Sequence, residues 1–543
     1  MHLGLNHSRS PSTHMATNMT DTEGQHRLPL PRSETRSETQ PSALSVSTSM
    51  TKPPFHARLK RVGSTVALHA RKHAGVGVIC AVAYFDPGNW GVDLQAGSEL
   101  GFKLLTVVLF AGLFAAFLQV LATRLGCVTG LDLASHCRVL LYNRPKHTRL
   151  YRWLGLYPLY LLSEIAIIST DLAELLGSAI ALCLLFPRLQ LWHAVLITAF
   201  DVVLLLALRD PLRSSPVKMF EYLIAAMVLA VMVCLVIIIV KVDVDWDDAF
   251  LGFVPSKYLF TSNGLYLAVG ILGATVMPHS LFLGSALAVQ DRVGTPLEMR
   301  EEPPPFNLWL KIKLLFRTPP ASTLAKPQHE NNTLTFVRNH LAHQTFDVVG
   351  SLLGFAVLIN SMILILAATM FYYGGAQSSN SASLFDAYDL ISRVVGKPAA
   401  TLFAISLLAA GQSSSIIATV AGQVVSEGFL QWRVSPVVRR LLTRLIAVVP
   451  ATVVAVVVGR PGVDTLLVAS QVILAIVLPF ITFPLIFLTS SKSTMLVRRE
   501  HSDPTQTAVD YSNNLPVTLL GWTIWLIIVA ANVYVIVTLF IAP

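Results

Sequence analysis

Eleven apolar stretches, each about 20 residues long or longer, recur between residue 74 and the end of the chain, and they leave few folds open. They run at roughly 74–98, 104–124, 153–186, 190–208, 217–240, 262–290, 346–373, 398–428, 441–459, 464–489 and 516–541. About 20 apolar residues in a helix reach across a hydrocarbon core of about 30 Å. Inside lipid every backbone N–H and C=O must find its partner within the protein, so stretches of this kind are helices. Composition agrees, with 53% hydrophobic and only 13% charged residues, against about 25% charged in soluble domains. The expected fold is an all-α polytopic membrane protein with eleven transmembrane helices.

The formal charge of +9 raises the question of nucleic acid, but its distribution answers it. Basic residues gather in alternate loops: Arg58, Lys60, Arg61, Arg71 and Lys72, then Arg138, Arg144, Lys146, Arg149 and Arg152, and so on to Lys492, Arg498 and Arg499. One intervening loop is acidic, with Asp243, Asp245, Asp247 and Asp248. Such alternation is the positive-inside rule at work. The expected partner is the lipid bilayer rather than nucleic acid, with the N-terminus cytoplasmic and the C-terminus extracellular or lumenal. Five scattered cysteines without C-x-x-C spacing read as small buried side chains rather than a disulfide framework or zinc knuckle.

Two of the apolar stretches are interrupted in matching places, by Asp86-Pro87-Gly88-Asn89 and by Met277-Pro278-His279. Proline removes a backbone donor and crowds the preceding turn, and glycine loosens what is left. An unwound segment at membrane depth is tolerated only where it is buried in protein or lines a polar cavity. The two breaks fall in the first and sixth spans, each the first of a set of five. Five is odd, so the two sets face opposite ways across the membrane, giving an inverted repeat of the LeuT type with broken helices 1 and 6. The expected organisation is a disordered cytoplasmic tail at 1–60, repeats at 74–240 and 262–489, and a peripheral last helix at 516–541. Residues 293–344 form a cytoplasmic loop, with an apolar patch from Leu308 to Phe316 that suits an interfacial helix or a plain linker, and a longer outward loop lies at 374–397. The sequon at Asn331 falls on the cytoplasmic side, which argues against its use.

Paired breaks of this kind point to a transporter's substrate site, and the side chains at them are metal ligands in type. Asp86 is costly in an apolar segment, by about 2.5–3.5 kcal/mol on insertion scales. Asn89 follows by three residues, so both oxygens can face one cavity. The breaks also free carbonyls: Ala83 is a candidate one turn before Asp86, and Ala274 loses its usual partner because Pro278, four residues on, has no N–H. Met277 discriminates among cations, since a thioether is a poor ligand for Mg²⁺ and Ca²⁺ but suits softer transition metals. His279 has three open readings: a ligand, a proton acceptor or a hydrogen-bonded structural group. In the third span Glu164, Asp171 and Glu174 share one stripe, either as a proton relay or as a satisfied salt-bridge cluster. Arg444 in the ninth span is the expected buried counter-charge, while Arg439 and Arg440 read as cytoplasmic anchors. Gln471 and Gln412 are intramembrane amides, which more often join helices than bind metal.

Five stretches at these residues resemble the NRAMP family of proton-coupled divalent-metal transporters. They are AYFDPGNWGVDLQAG (83–97), LQVLATRLGCVTGLDLA (118–134), TDLAELLG (170–177), GATVMPHSLFLGSAL (273–287) and AAGQSSSIIATVAGQVVSEGFL (409–430). The resemblance implies metal ligation by Asp86, Asn89 and Met277, with carbonyls of Ala83 or Ala274 and with Gln471 in one conformation. It makes His279, Glu164, Asp171, Glu174 and Arg444 the proton-coupling set, and it implies no cofactor: Mn²⁺ or Fe²⁺ and protons are cargo. Ser280 and Gly284 stand where many members carry Asn and a second His, so a proton route through that histidine is in doubt here. The wording PHSLFLGSAL resembles the fungal branch, which carries manganese and iron, in a plasma, endosomal or vacuolar membrane. Magnesium-carrying relatives lack the methionine. Two other readings compete: a sodium-coupled amino-acid symporter on the same fold, whose breaks should offer N–H groups to a carboxylate, and a metal-sensing receptor that binds without transport. An enzyme is disfavoured, because no HxxxH-type ligand cluster, nucleophile elbow or phosphate loop is present.

Overall fold

A computed structural model of the chain describes residues 76–205, 218–291, 330–374, 382–431, 436–498 and 508–541. The predicted tail at 1–60, the apolar patch from Leu308 to Phe316 and the side chain of Arg440 lie outside them. Each of the eleven apolar stretches contains helix. The first is divided: α1 (Val76–Val82) runs into a 3-10 turn at Ala83–Phe85, Asp86 is extended, and α2 (Pro87–Leu100) starts afresh. Proline sits at the first helical position of α2, where its missing N–H removes no bond. Then come α3 (Leu105–Thr129), α4 (Leu133–Tyr142), α5 (Tyr157–Leu185), α6 (Leu191–Leu205), α7 (Lys218–Val240) and the short α8 (Trp246–Leu251).

The sixth stretch repeats the device. Helix α9 (Ser262–Thr275) ends, Val276 and Met277 leave helical geometry, and α10 (Pro278–Leu287) again opens on a proline. The chain continues through α11 (Leu334–Ser351), α12 (Leu358–Ala367), α13 (Leu384–Val394), α14 (Lys397–Leu430), α15 (Pro436–Val457), α16 (Arg460–Ser490) and α17 (Leu515–Ile541). Between α16 and α17 two residues of β1 (Leu496–Val497) pair antiparallel with β2 (Val509–Asp510). The halves α2 and α9 touch each other, and α16 lies against both. Helix α5 packs on α14, α15 and α16 as well as on α2. Leu229, Val233 and Val240 of α7 and Leu519, Leu526 and Val533 of α17 stand exposed. Apolar faces this large are stable against lipid but not against water.

Among the described residues eight helical runs are long and apolar enough to cross a membrane, against the eleven predicted. Pro87–Thr129 is one run that holds the end of the first predicted span and all of the second, because a 3-10 turn at Gly101–Leu104 carries the helix on. Val76–Phe85 and Leu441–Val457 are apolar but shorter, and α6 is described over 15 residues.

Two loop boundaries also differ. The expected excursion at 293–344 ends early, since α11 begins at Leu334, where the Thr333 hydroxyl accepts from Phe336 N at 3.2 Å. Its polar residues face partners rather than water: Gln344 Nε2 donates to Ala288 O, and Asp347 Oδ2 accepts from Gly77 N at 2.7 Å. The sequon's Asn331 amide donates to Thr494 O and Leu496 O, both at 2.8 Å. Within 374–397, α13 forms behind a capping box of Ser383 and Asp386.

Candidate functional site

At the first break, Asp86 caps α2. Its Oδ1 accepts from Asn89 N at 2.9 Å and from Asn89 Nδ2 at 2.8 Å, and its Oδ2 takes no bond from any described residue. At the second break, the Ala274 carbonyl has no N–H four residues on, because Pro278 stands there. It accepts instead from Asn89 Nδ2 at 3.0 Å. One amide therefore ties the two breaks together. Asp86, Ala83, Ala274, Met277 and Gln471 are fully buried and Asn89 is nearly so. Met277 follows Ala274 by three residues with extended backbone (φ −75°, ψ 117°).

Helix α16 closes the same place. A Cβ on Gly88 would overlap the Gln471 carboxamide, and one on Gly273 would overlap the Gln471 carbonyl oxygen. Both glycines are present because α16 approaches the breaks too closely for a side chain. Gln471 Oε1 has no donor among the described residues, and its Nε2 reaches Ser470 Oγ at 3.1 Å. The donor types these contacts gather are a carboxylate, amides and a freed carbonyl, with the Met277 thioether on the residue three beyond that carbonyl. Among the described residues no group of three His, Cys, Asp or Glu comes together, so this is not a zinc-type cluster.

The second set is strung along α5. Thr170 Oγ1 lies 3.3 Å from His279 Nδ1, which links α10 to α5 next to Asp171. Arg444 Nη1 donates to the Asp171 carbonyl at 3.1 Å, stands 3.9 Å from its Oδ1, and Arg444 Nη2 donates to Ser415 Oγ at 2.7 Å. Glu174 Oε1 accepts from Ser414 Oγ at 2.7 Å. Glu164 is held by both of its oxygens, at 2.7 and 2.8 Å, by Arg439 Nη2. That corrects the sequence reading of Arg439 as an anchor: it is the ion-pair partner of Glu164, 275 residues away in sequence. Arg444 is buried beside Asp171.

Several participants gave no sequence signal strong enough to be singled out. Asn360 of α12 donates to Tyr84 O at 2.8 Å and to Asn89 Oδ1 at 3.3 Å, so it holds both sides of the first break. An asparagine in an apolar span was the available clue. Gln119 of α3 accepts from the Tyr84 hydroxyl at 2.9 Å and from Ser280 Oγ at 3.4 Å, and a Cβ on Gly284 would overlap its Nε2. The volume next to Gly284 is thus filled by Gln119. Gln412, by contrast, is one of the two intramembrane amides singled out in the sequence, and it donates to Ser178 Oγ at 3.3 Å.

Residues 77–538 match the family described as natural resistance-associated macrophage protein-like, Nramp. The chain is 40% identical over 476 residues to the manganese transporter pdt1 of Schizosaccharomyces pombe, covering 86% of this chain and 85% of that one. It is 34% identical to the iron transporter SMF3 of Saccharomyces cerevisiae, over 86% of this chain and 96% of that one. Among solved structures, a manganese transporter of Eremococcus coleocola, in complex with an aromatic bis-isothiourea compound, superposes with a TM-score of 0.67. It is 29% identical, over 92% of this chain and 93% of that one.

Proposed function

The chain belongs to the Nramp family, and on that premise we propose that it is a secondary transporter carrying Mn²⁺ or Fe²⁺, with Co²⁺ and Cd²⁺ as softer competitors, into the cytoplasm together with protons. The observation that carries the reading is the Asn89 amide, which donates to Asp86 Oδ1 and to Ala274 O at 2.8 and 3.0 Å. Both breaks thereby present acceptors to one buried point. A cation placed there meets Asp86, Asn89 and Met277, with the Ala83 or Ala274 carbonyl according to conformation and with Gln471 from α16. Acceptors are the wrong complement for a substrate carboxylate, which weighs against an amino-acid cargo. The Met277 sulfur favours Mn²⁺, Fe²⁺, Co²⁺ and Cd²⁺ over Ca²⁺ and Mg²⁺.

Protons that enter with the metal use His279 and the acids Glu174, Asp171 and Glu164 along α5 toward the cytoplasm, with Arg444 balancing Asp171. The repeats at 74–240 and 262–489 rock against each other to expose the site alternately, with the N-terminus cytoplasmic and the C-terminus extracellular or lumenal. The test is Mn²⁺ uptake into proteoliposomes containing a pH dye. Wild type should take up Mn²⁺ and acidify the lumen, and Asp86→Ala should do neither. Met277→Ala should keep Mn²⁺ uptake but let Ca²⁺ compete more strongly. Binding without entry in correctly inserted wild type would replace transport with a sensing role.

A further inference from the structure

Asp93 is a buried acid that neither break uses. It is 1% exposed, and its Oδ2 takes no hydrogen bond from any described residue. A carboxylate withdrawn from water with no donor or cation beside it is strongly disfavoured unless it is neutral or a cation meets it. Its place in the fold decides which cation is at hand. Asp93 follows Asn89 by four residues in α2, so it lies on the same face one turn further along. That face looks at α12, where Asn360 reaches Asn89, and where Gly97 comes so close that a Cβ would overlap the Leu364 carbonyl. Asp93 lies between these two contacts, seven residues or about 10 Å of helix beyond Asp86. The same seam holds a second buried oxygen without a donor, Asn360 Oδ1. By the charge pattern of the loops, α2 runs from the break toward the extracytoplasmic side.

We propose that Asp93 forms an outer cation subsite, where an incoming divalent cation rests before it reaches Asp86. This deepens the transport reading and, for its role in entry, rests on it. Carboxylate oxygens are hard donors, so the subsite takes Ca²⁺ and Mg²⁺ as well as Mn²⁺. Recruitment and selection are then separate: Asp93 gathers divalent cations and Met277 chooses among them.

Two readouts on the purified full-length protein test this, with Asp93→Asn keeping the side chain's shape and Asp93→Glu keeping its charge. In the first, Ca²⁺ alone is the probe and the melting temperature is read. Ca²⁺ should raise it in wild type and Asp86→Ala, fail to raise it in Asp93→Asn, and raise it in part in Asp93→Glu. Without added cation Asp93→Asn should melt no lower than wild type, because a neutral amide replaces an unpaired carboxylate. In the second, the half-saturating Mn²⁺ concentration for uptake should rise about tenfold in Asp93→Asn, and Ca²⁺ should cease to compete. A Ca²⁺ response that persists in Asp93→Asn, or is absent from wild type, overturns the subsite whether or not Mn²⁺ enters the vesicles. Loss of wild-type uptake with an intact, Asp93-dependent Ca²⁺ response would instead remove the transport reading and leave the subsite standing.

Discussion

The pairing of Glu164 with Arg439 makes the most quantitative prediction, because its geometry fixes both a stability cost and a functional alternative. Arg439 Nη2 meets both carboxylate oxygens, at 2.7 and 2.8 Å, and the two side chains are only 12% and 15% exposed. Removing one partner from a buried pair leaves an uncompensated charge and costs about 3–5 kcal/mol. The residual exposure argues for the lower end, about 3 kcal/mol for Glu164→Gln and the same for Arg439→Gln. Because the penalty is the charge left behind, the double variant, which leaves none, should cost well under about 3 kcal/mol, a coupling above about 3 kcal/mol. With unfolding entropy of about 2.1 cal/mol/K per residue, a chain of 543 residues loses about 1 °C of melting temperature per kcal/mol.

Each single variant should therefore melt about 3 °C below wild type in detergent, and the double variant should lie closer to wild type than either. Single variants at the wild-type temperature, or a double variant falling by the sum of both, would refute the argument. The same Glu164→Gln protein then separates a proton relay from a strut. A relay requires the ratio of protons to Mn²⁺ entering vesicles to fall, and an unchanged ratio in a protein that still transports removes Glu164 from the route.

Gly88→Ala drives a methyl group into the Gln471 carboxamide, and should raise the half-saturating Mn²⁺ concentration at least fivefold, about 1 kcal/mol, without loss of folded protein on a sizing column. Asn360→Ala removes the donor that holds Asn89 Oδ1 at 3.3 Å; about 1 kcal/mol of hydrogen bond is lost and the half-saturating concentration should fall, as titrated by uptake. Ser414→Ala withdraws a donor from Glu174 Oε1, and should alter the pH dependence of uptake while leaving Mn²⁺ selectivity against Ca²⁺ in place.

The parts legible in the sequence are those whose physics is local. Pro278 frees the Ala274 carbonyl by lacking an N–H, and that follows from residues four apart on one chain. The stripe of Glu164, Asp171 and Glu174 follows from helical period alone. What stayed hidden depends on distance in sequence. Nothing near Arg439 announces Glu164, and nothing near Asn360 announces the break at Tyr84. The start of α11 was obscured for the opposite reason: Gln344 and Asp347 are polar, which reads as solvent, yet they bind the backbone at Ala288 and Gly77. Polarity in a sequence marks a need for partners, and only the fold says whether water supplies them.

The Asn89 amide shows why the two breaks hold together without a cation. Its NH₂ group lies between Asp86 Oδ1 and Ala274 O, two acceptors that would otherwise face each other with no hydrogen between them. In that position it does what a cation would do, bridging the oxygens with partial positive charge. Its own oxygen is turned the other way and accepts from Asn360 Nδ2. For Asn89 to serve as a metal ligand, the amide must rotate so that Oδ1 replaces Nδ2 at the meeting point, and Asn360 must let go. Cation ligation by Asn89 and loss of the Asn360–Asn89 bond would then be one event, while Asn360 keeps its 2.8 Å bond to Tyr84 O. Cation ligation and the first local rearrangement would share the Asn89 side chain, with selectivity left to Met277, and the weak 3.3 Å bond from Asn360 sets how readily that step is taken.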